Sequence, residues 1–75
     1  MSDNRRDYRT ELNNLCVQAG WELVFEDTFS GPQHNGTWTS IASIGGVVHG
    51  QGTARSARAA REEASRQTLI ILGRA

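Results

Sequence analysis

From Tyr8 onward the apolar positions are Tyr8, Leu12, Leu15, Cys16 and Ala19, which draw a single stripe along an α-helix. Thr10, Glu11, Asn13, Asn14 and Gln18 cover the rest of that segment with polar groups. Asp7 stands where an N-cap belongs, Glu11 is early enough to suit the helix dipole, and Gly20 follows the last apolar position as a helix-ending residue does. The period changes at Trp21. Between Trp21 and Phe29, Leu23, Phe25 and Asp27 share one face and Glu22, Val24 and Glu26 the other, at the aromatic and β-branched density of a strand. Ser30 to Gly36 is a stretch of turn formers that holds the sole proline and is longer than a tight hairpin needs. Long ordered loops on small domains often carry function.

Period two returns with Trp38, Ser40, Ala42 and Ile44 alternating against Thr37, Thr39, Ile41 and Ser43. Gly45-Gly46 is a two-residue hairpin signal, and Val47 to Gln51 reads as a third strand. Ser40 and Ala42 are small, so the layer covering them is expected to approach closely. Gly50, Gly52, Thr53 and Ala54 read as a flexible exit. Ser56 then caps a second helix over Ala57 to Leu72, rich in helix formers. Ala60, Ala64, Ser65, Thr68, Leu69, Ile71 and Leu72 fall on one arc of its wheel. Ala59, Glu62, Glu63, Arg66 and Gln67 fall on the other, with Glu62 and Arg66 as an i,i+4 ion pair and Gly73 as the stop. The order α-β-β-β-α predicts an α+β fold: a three-stranded antiparallel sheet with two helices packed on one face and Thr37, Thr39 and Ser43 wet on the other. The domain is expected over residues 8–72, after a frayed segment 1–7 and before a short tail 73–75.

Composition narrows the chemistry. A chain of 75 residues has room for one domain with a small core. Cys16 is alone, so no internal disulfide forms, and two scattered histidines with that one cysteine lack metal-ligand spacing; no cofactor is expected. The longest apolar run, Leu69 to Leu72, is too short for a bilayer, and no apolar stretch follows the N-terminal charges as in a secretory signal. The expectation is an intracellular protein, cytoplasmic or nuclear, with no membrane partner. No serine or cysteine has a base nearby, Cys16 lies on the buried stripe, and Glu62 and Glu63 pair outward with Arg66, so no enzymatic activity is expected. Whether the chain is a whole protein or a piece of one stays open at this level.

Charge changes the picture more than its total suggests. Eight cations balance eight acids, and every cation is arginine. From Gly45 to Arg61 there are three arginines and no acid, whereas from Arg9 to Ile44 four acids face one arginine. Arg55 precedes the cap of the second helix, and Arg58 and Arg61 sit in its first turns. Cations there oppose the helix dipole by roughly 0.3–1 kcal/mol each. Free amides and guanidinium forks that point the same way suit an anion.

Several short patterns occur together in order. They are Gly31-Pro32-Gln33-His34, Trp38, Gly45, Gly50-Gln51-Gly52, and Ser56-Ala57-Arg58-Ala59-Ala60-Arg61 opening an alanine-rich helix, with Leu12-Asn13-Asn14, Cys16 and Gly20 before them. In combination they resemble the double-stranded RNA-binding domain family from Tyr8 to about Leu72. The resemblance implies recognition of an A-form duplex by shape, across two minor grooves and the intervening phosphates, over roughly 16 bp. It assigns Thr10, Asn13 and Asn14 to 2′-hydroxyls in one minor groove. It sends Gly31, Pro32, Gln33 and His34 into the next, and sets Ala57, Arg58 and Arg61, with Arg55 nearby, on phosphates. Double-stranded RNA is then the partner. Two departures matter: Ala57 stands where the family's Lys-Lys-x-Ala-Lys pattern has a cation, and Asn14 where it often has glutamate. Asn14 keeps an acceptor but not the charge, and the missing cation leaves two or three phosphate contacts, which implies modest, salt-sensitive affinity with little sequence preference. A second reading is a module of the same fold that binds itself or an RNA-processing protein. It rests on Ile41 on the wet sheet face and Ile70 on the polar arc of the second helix, taken together as a partner surface.

Overall fold

The computed structural model describes residues 6–74. The elements are α1 (Tyr8–Ala19), β1 (Leu23–Ser30), β2 (Thr37–Ile44), β3 (Val47–Ala54) and α2 (Ala57–Ile71). The strands form one antiparallel sheet in the order β1-β2-β3, the expected architecture. Of the segment 1–7, only Arg6 and Asp7 lie within the described residues. Asp7 caps α1, its carboxylate accepting the Thr10 amide at 3.0 Å. Gly20 closes α1 in the left-handed conformation, φ 75°. Gly73 and Arg74 fold back, donating their amides to Ile70 and Leu69 carbonyls. No helix among the described residues is long and apolar enough to cross a membrane.

The core is small and lies where α1, α2 and the hairpin end of the sheet meet. Leu12, Cys16, Ile44 and Leu69 are buried there, with Tyr8, Leu15, Leu23, Phe25 and Leu72 packed around them. α2 rests on β3 and β2, while α1 packs chiefly on α2. The inward faces follow the alternation: Leu23, Phe25 and Asp27 of β1, and Ser40, Ala42 and Ile44 of β2.

Four expectations need correction. First, Trp21 and Glu22 precede β1 rather than open it. The Trp21 amide is taken by the Cys16 carbonyl in the turn that ends α1. Second, Gly50, Gly52, Thr53 and Ala54 belong to β3 and are no flexible exit. Gly50 and Gly52 are buried against α2. A Cβ on Gly52 would lie 2.6 Å from the Ala60 carbonyl oxygen and the Ala64 amide, and one on Gly50 would collide with Thr68 and the Ala64 carbonyl. These glycines are therefore close-approach residues, the role the sequence suggested for Ser40 and Ala42 alone. Third, Ile71 is 59% exposed despite its place on the inward arc. Gly52 supports Ala60 and Ala64, Gly50 supports Ala64 and Thr68, and the last turn of α2 lies beyond both. There Leu69 and Leu72 turn into the core and Ile71 is left in water. Fourth, Glu62 does not pair with Arg66. That arginine bonds Glu63 at 3.1 Å, and Glu62 accepts the amides of Tyr8 and Arg9 instead.

Ile41 and Ile70 lie on opposite sides of the molecule. Ile41 alternates with Ser40 and Ala42, which face α2, so it points to the outer sheet face, while Ile70 is on the exposed side of α2. They do not make one surface.

Candidate nucleic-acid interface

Two of three chain segments meet at one end of the sheet. Ser30 pairs with Thr37 and Trp38 with Ala54, so the loop 31–36 leaves the same end from which β3 runs through Arg55 into α2. The third segment, the start of α1, is tied to α2 by Glu62.

At the start of α2, Ser56 has extended backbone (φ −132°, ψ 154°) and its hydroxyl accepts the Ala59 amide at 3.1 Å. No acidic residue occupies the first turn. The amides of Ala57 and Arg58 therefore keep the orphan character of a helix N-terminus. Arg55 and Arg58 are exposed and, among the described residues, form no ion pair. Arg61 differs. Its Nε donates to Asp27 Oδ2 at 2.6 Å, and a terminal nitrogen of the same guanidinium pairs with that oxygen. The Asp27 side chain is only 14% exposed, and that of Arg61 38%. The hydrogen bond from Arg61 holds the Asp27 carboxyl below the usual aspartate range, against the opposing effect of burial. Two of the guanidinium's five donors are thus committed, and the fork is anchored rather than swinging.

On α1, Thr10, Asn13 and Asn14 are all exposed and, at i, i+3 and i+4, lie on one side of the helix, where they border two hollows. Thr10 and Asn13 line a hollow of about 290 Å³ with Arg9, Phe25 and Arg61. Asn14 lines a different one, with Glu11, Leu15, Gln18, Leu69 and Arg74. Arg9 also lines a third hollow, of about 440 Å³, together with Arg58, Arg6, Asp7 and Glu62. It is the one side chain common to the spaces beside Thr10–Asn13 and Arg58. The sequence reading passed over Arg9. The signal was present: an arginine in the first turn of α1 opposes the helix dipole as Arg58 does in α2.

The loop is braced from below. Gly31 has φ 98°, and the Asn35 amide returns to the Pro32 carbonyl at 3.1 Å. Gly36 is buried, because a Cβ there would meet the Phe29 ring and the Pro32 carbonyl. Phe29 packs against Trp38 with ring centroids 5.2 Å apart. Pro32, Gln33 and His34 stand exposed on this base. Cys16 is remote from these groups and buried, and burial pushes its thiol pKa up.

A polar helix face, a braced loop tip and an arginine-bearing helix start on an α-β-β-β-α frame form one pattern with the chain's relatives. Residues 8–72 match the family model described as the double-stranded RNA binding motif. The chain is 39% identical over 67 residues to Ribonuclease 3 of Pelotomaculum thermopropionicum and 40% identical over 67 residues to that of Geobacter sulfurreducens, matches covering 87% and 85% of this chain. They cover 28% and 27% of those proteins, so the chain spans about a quarter of the curated relatives it matches. The fold is also that of the solution structure of the second such domain of DRB4, with a TM-score of 0.66 at 21% identity, covering 91% of this chain and 97% of that one. The chain belongs to the double-stranded RNA-binding domain family, and duplex RNA is its partner.

Proposed function

We propose that the domain grips an A-form duplex with three segments: Thr10, Asn13 and Asn14 on 2′-hydroxyls of one minor groove, Gly31 to His34 in the next, and Arg55, Arg58 and Arg61 with the Ala57 amide on the phosphates between. The reading rests on two observations: the loop and the start of α2 leave the same end of the sheet, and hollows lined by Arg9 join Thr10 and Asn13 to Arg58, with neutral donor–acceptor groups on α1 and cations on α2. The division is chemically apt: 2′-hydroxyls take neutral side chains, and phosphates take cations and free helix amides. Arg61 enters as a guanidinium fixed on Asp27, which presents its remaining donors without further loss of side-chain freedom. Arg55 and Arg58 are the freely placed cations.

The chain acts by binding, with no bond-making step of its own. Its relatives are named Ribonuclease 3 and it matches about a quarter of their length, so it delivers duplex RNA to an RNA-processing activity, in the same polypeptide or in a partner. Duplex RNA as ligand sets the site of action inside the cell. Amide chemical shifts recorded during titration with an RNA duplex of about 20 bp test the placement. Shifts should concentrate in 8–14, 31–36 and 55–61. Shifts centred on the outer sheet face, around Thr39, Ile41 and Gln51, would refute it.

A further inference from the structure

Glu62 belongs to the middle of α2, yet its carboxylate caps the other helix. Oε2 accepts the Tyr8 amide at 2.6 Å and Oε1 the Arg9 amide at 3.1 Å, while Asp7 takes the Thr10 amide. The first-turn donors of α1 are thereby filled, two of them by a residue more than fifty positions away in sequence. Among the described residues these are the hydrogen bonds that join α1 to α2. They matter because α1 packs chiefly on α2, not on the sheet. Glu62 also lies one turn after Arg58, on the same side of α2. A single carboxylate therefore fixes the offset between the helix face that carries Thr10 and Asn13 and the helix start that carries Arg58.

We propose that Glu62 is a positioning residue for RNA discrimination: it sets the spacing between the 2′-hydroxyl-reading face of α1 and the phosphate-binding start of α2. The inference rests on the RNA-binding reading above. An A-form duplex presents its minor-groove hydroxyls and its major-groove phosphates at a fixed separation, so a protein that reads shape needs its two surfaces at a fixed separation as well. Glu62 touches no RNA in this scheme. Its effect passes through Thr10 and Asn13. A carboxylate suits the task because it has two acceptors for two adjacent amides and its charge suits the positive end of α1. Glutamine keeps the length but turns one acceptor into a donor, which cannot pair with an amide N–H.

The test measures binding of an RNA duplex and the matching DNA duplex, each of about 20 bp, over a salt series, for wild type, Glu62→Ala, Glu62→Gln and Asn13→Ala. It is run well below the melting temperature of each, with folding checked by circular dichroism. Glu62→Ala should weaken RNA binding by about five- to thirtyfold, the scale of one or two lost hydrogen bonds. DNA binding should stay within about twofold and the salt slope should be unchanged, because phosphate contacts persist. Glu62→Gln, which keeps the packing, should lie between. In an Asn13→Ala background Glu62→Ala should add little, since both act through α1. A merely structural role would lower RNA and DNA binding together, and additivity with Asn13→Ala would break the link to α1. Either result overturns the inference, as do Glu62 variants that bind RNA like wild type. Wild type that fails to prefer RNA over DNA removes the RNA-binding reading itself and this inference with it.

Discussion

Arg58 and Arg61 are one turn apart on the same helix and have different surroundings. Arg58 has no acidic partner among the described residues, and Arg61 is held by Asp27. Arg58→Ala should therefore weaken duplex RNA binding by about five- to tenfold, measured by fluorescence anisotropy, and reduce the salt slope by about one. Asp27→Asn should act on stability first. The native Asp27 pKa is depressed by the Arg61 hydrogen bond, so the ionised carboxylate stabilises the fold at pH values above its ordinary pKa of about 3.9. That contribution fades as pH falls through the ordinary value toward the lower native one. Thermal melts should show Asp27→Asn less stable than wild type at pH 7, with the gap narrowing below about pH 4. A gap that is constant from pH 7 to pH 3 would mean the ion pair contributes nothing. Arg58 was legible in the sequence because a cation at a helix start breaks a local rule, and Arg9 breaks the same rule in α1. The partners of Asp27 and Glu62 were not legible. Each pairs with a group more than thirty positions away, and local spacing carries no information about such contacts.

At the level of elements, the close packing of α2 on β3 fixes where the arginines of α2 emerge. Gly52→Ala drives a methyl group into the backbone of α2 at Ala60 and Ala64. It should destabilise the domain by about 1–3 kcal/mol in urea unfolding, the usual range for overpacking. The loop has its own support: Gly36→Ala places a Cβ against Phe29 and the Pro32 carbonyl. That variant should lower RNA affinity while the salt slope contributed by α2 holds, as read by titration at several salt concentrations. Element types and order were legible because the apolar period switches cleanly from helical to alternating after Gly20 and back to helical at Ala57. What misled was local. Glycine reads equally as freedom or as close approach, and only the helix lying on Gly50 and Gly52 decides between them. The wheel placed Ile71 inward because it treats every turn as equally covered, while the cover over α2 ends before its last turn.

For the whole molecule, the balance of eight arginines against eight acids hides a sorted surface. Asp27 and Glu62 are spent on structure, the one on Arg61 and the other on the amides of α1. Arg55 and Arg58 are left exposed at the start of α2, at the end of the sheet from which the loop also leaves. With Ala57 in place of a cation, two or three phosphate contacts are available. Between 50 and 200 mM salt the affinity should then fall by about ten- to fortyfold, less than for a protein making many such contacts. In the proposed three-segment grip, the remaining specificity comes from the fit of α1 and the loop to two successive minor grooves. The most direct measurement is a parallel titration of the wild-type domain with RNA and DNA duplexes of about 20 bp and identical sequence, at several salt concentrations. Recognition by A-form shape predicts clear preference for RNA at every salt, little change when the sequence is scrambled, and a salt slope of about two to three. Equal binding of the two duplexes, or an affinity that follows sequence, would contradict it.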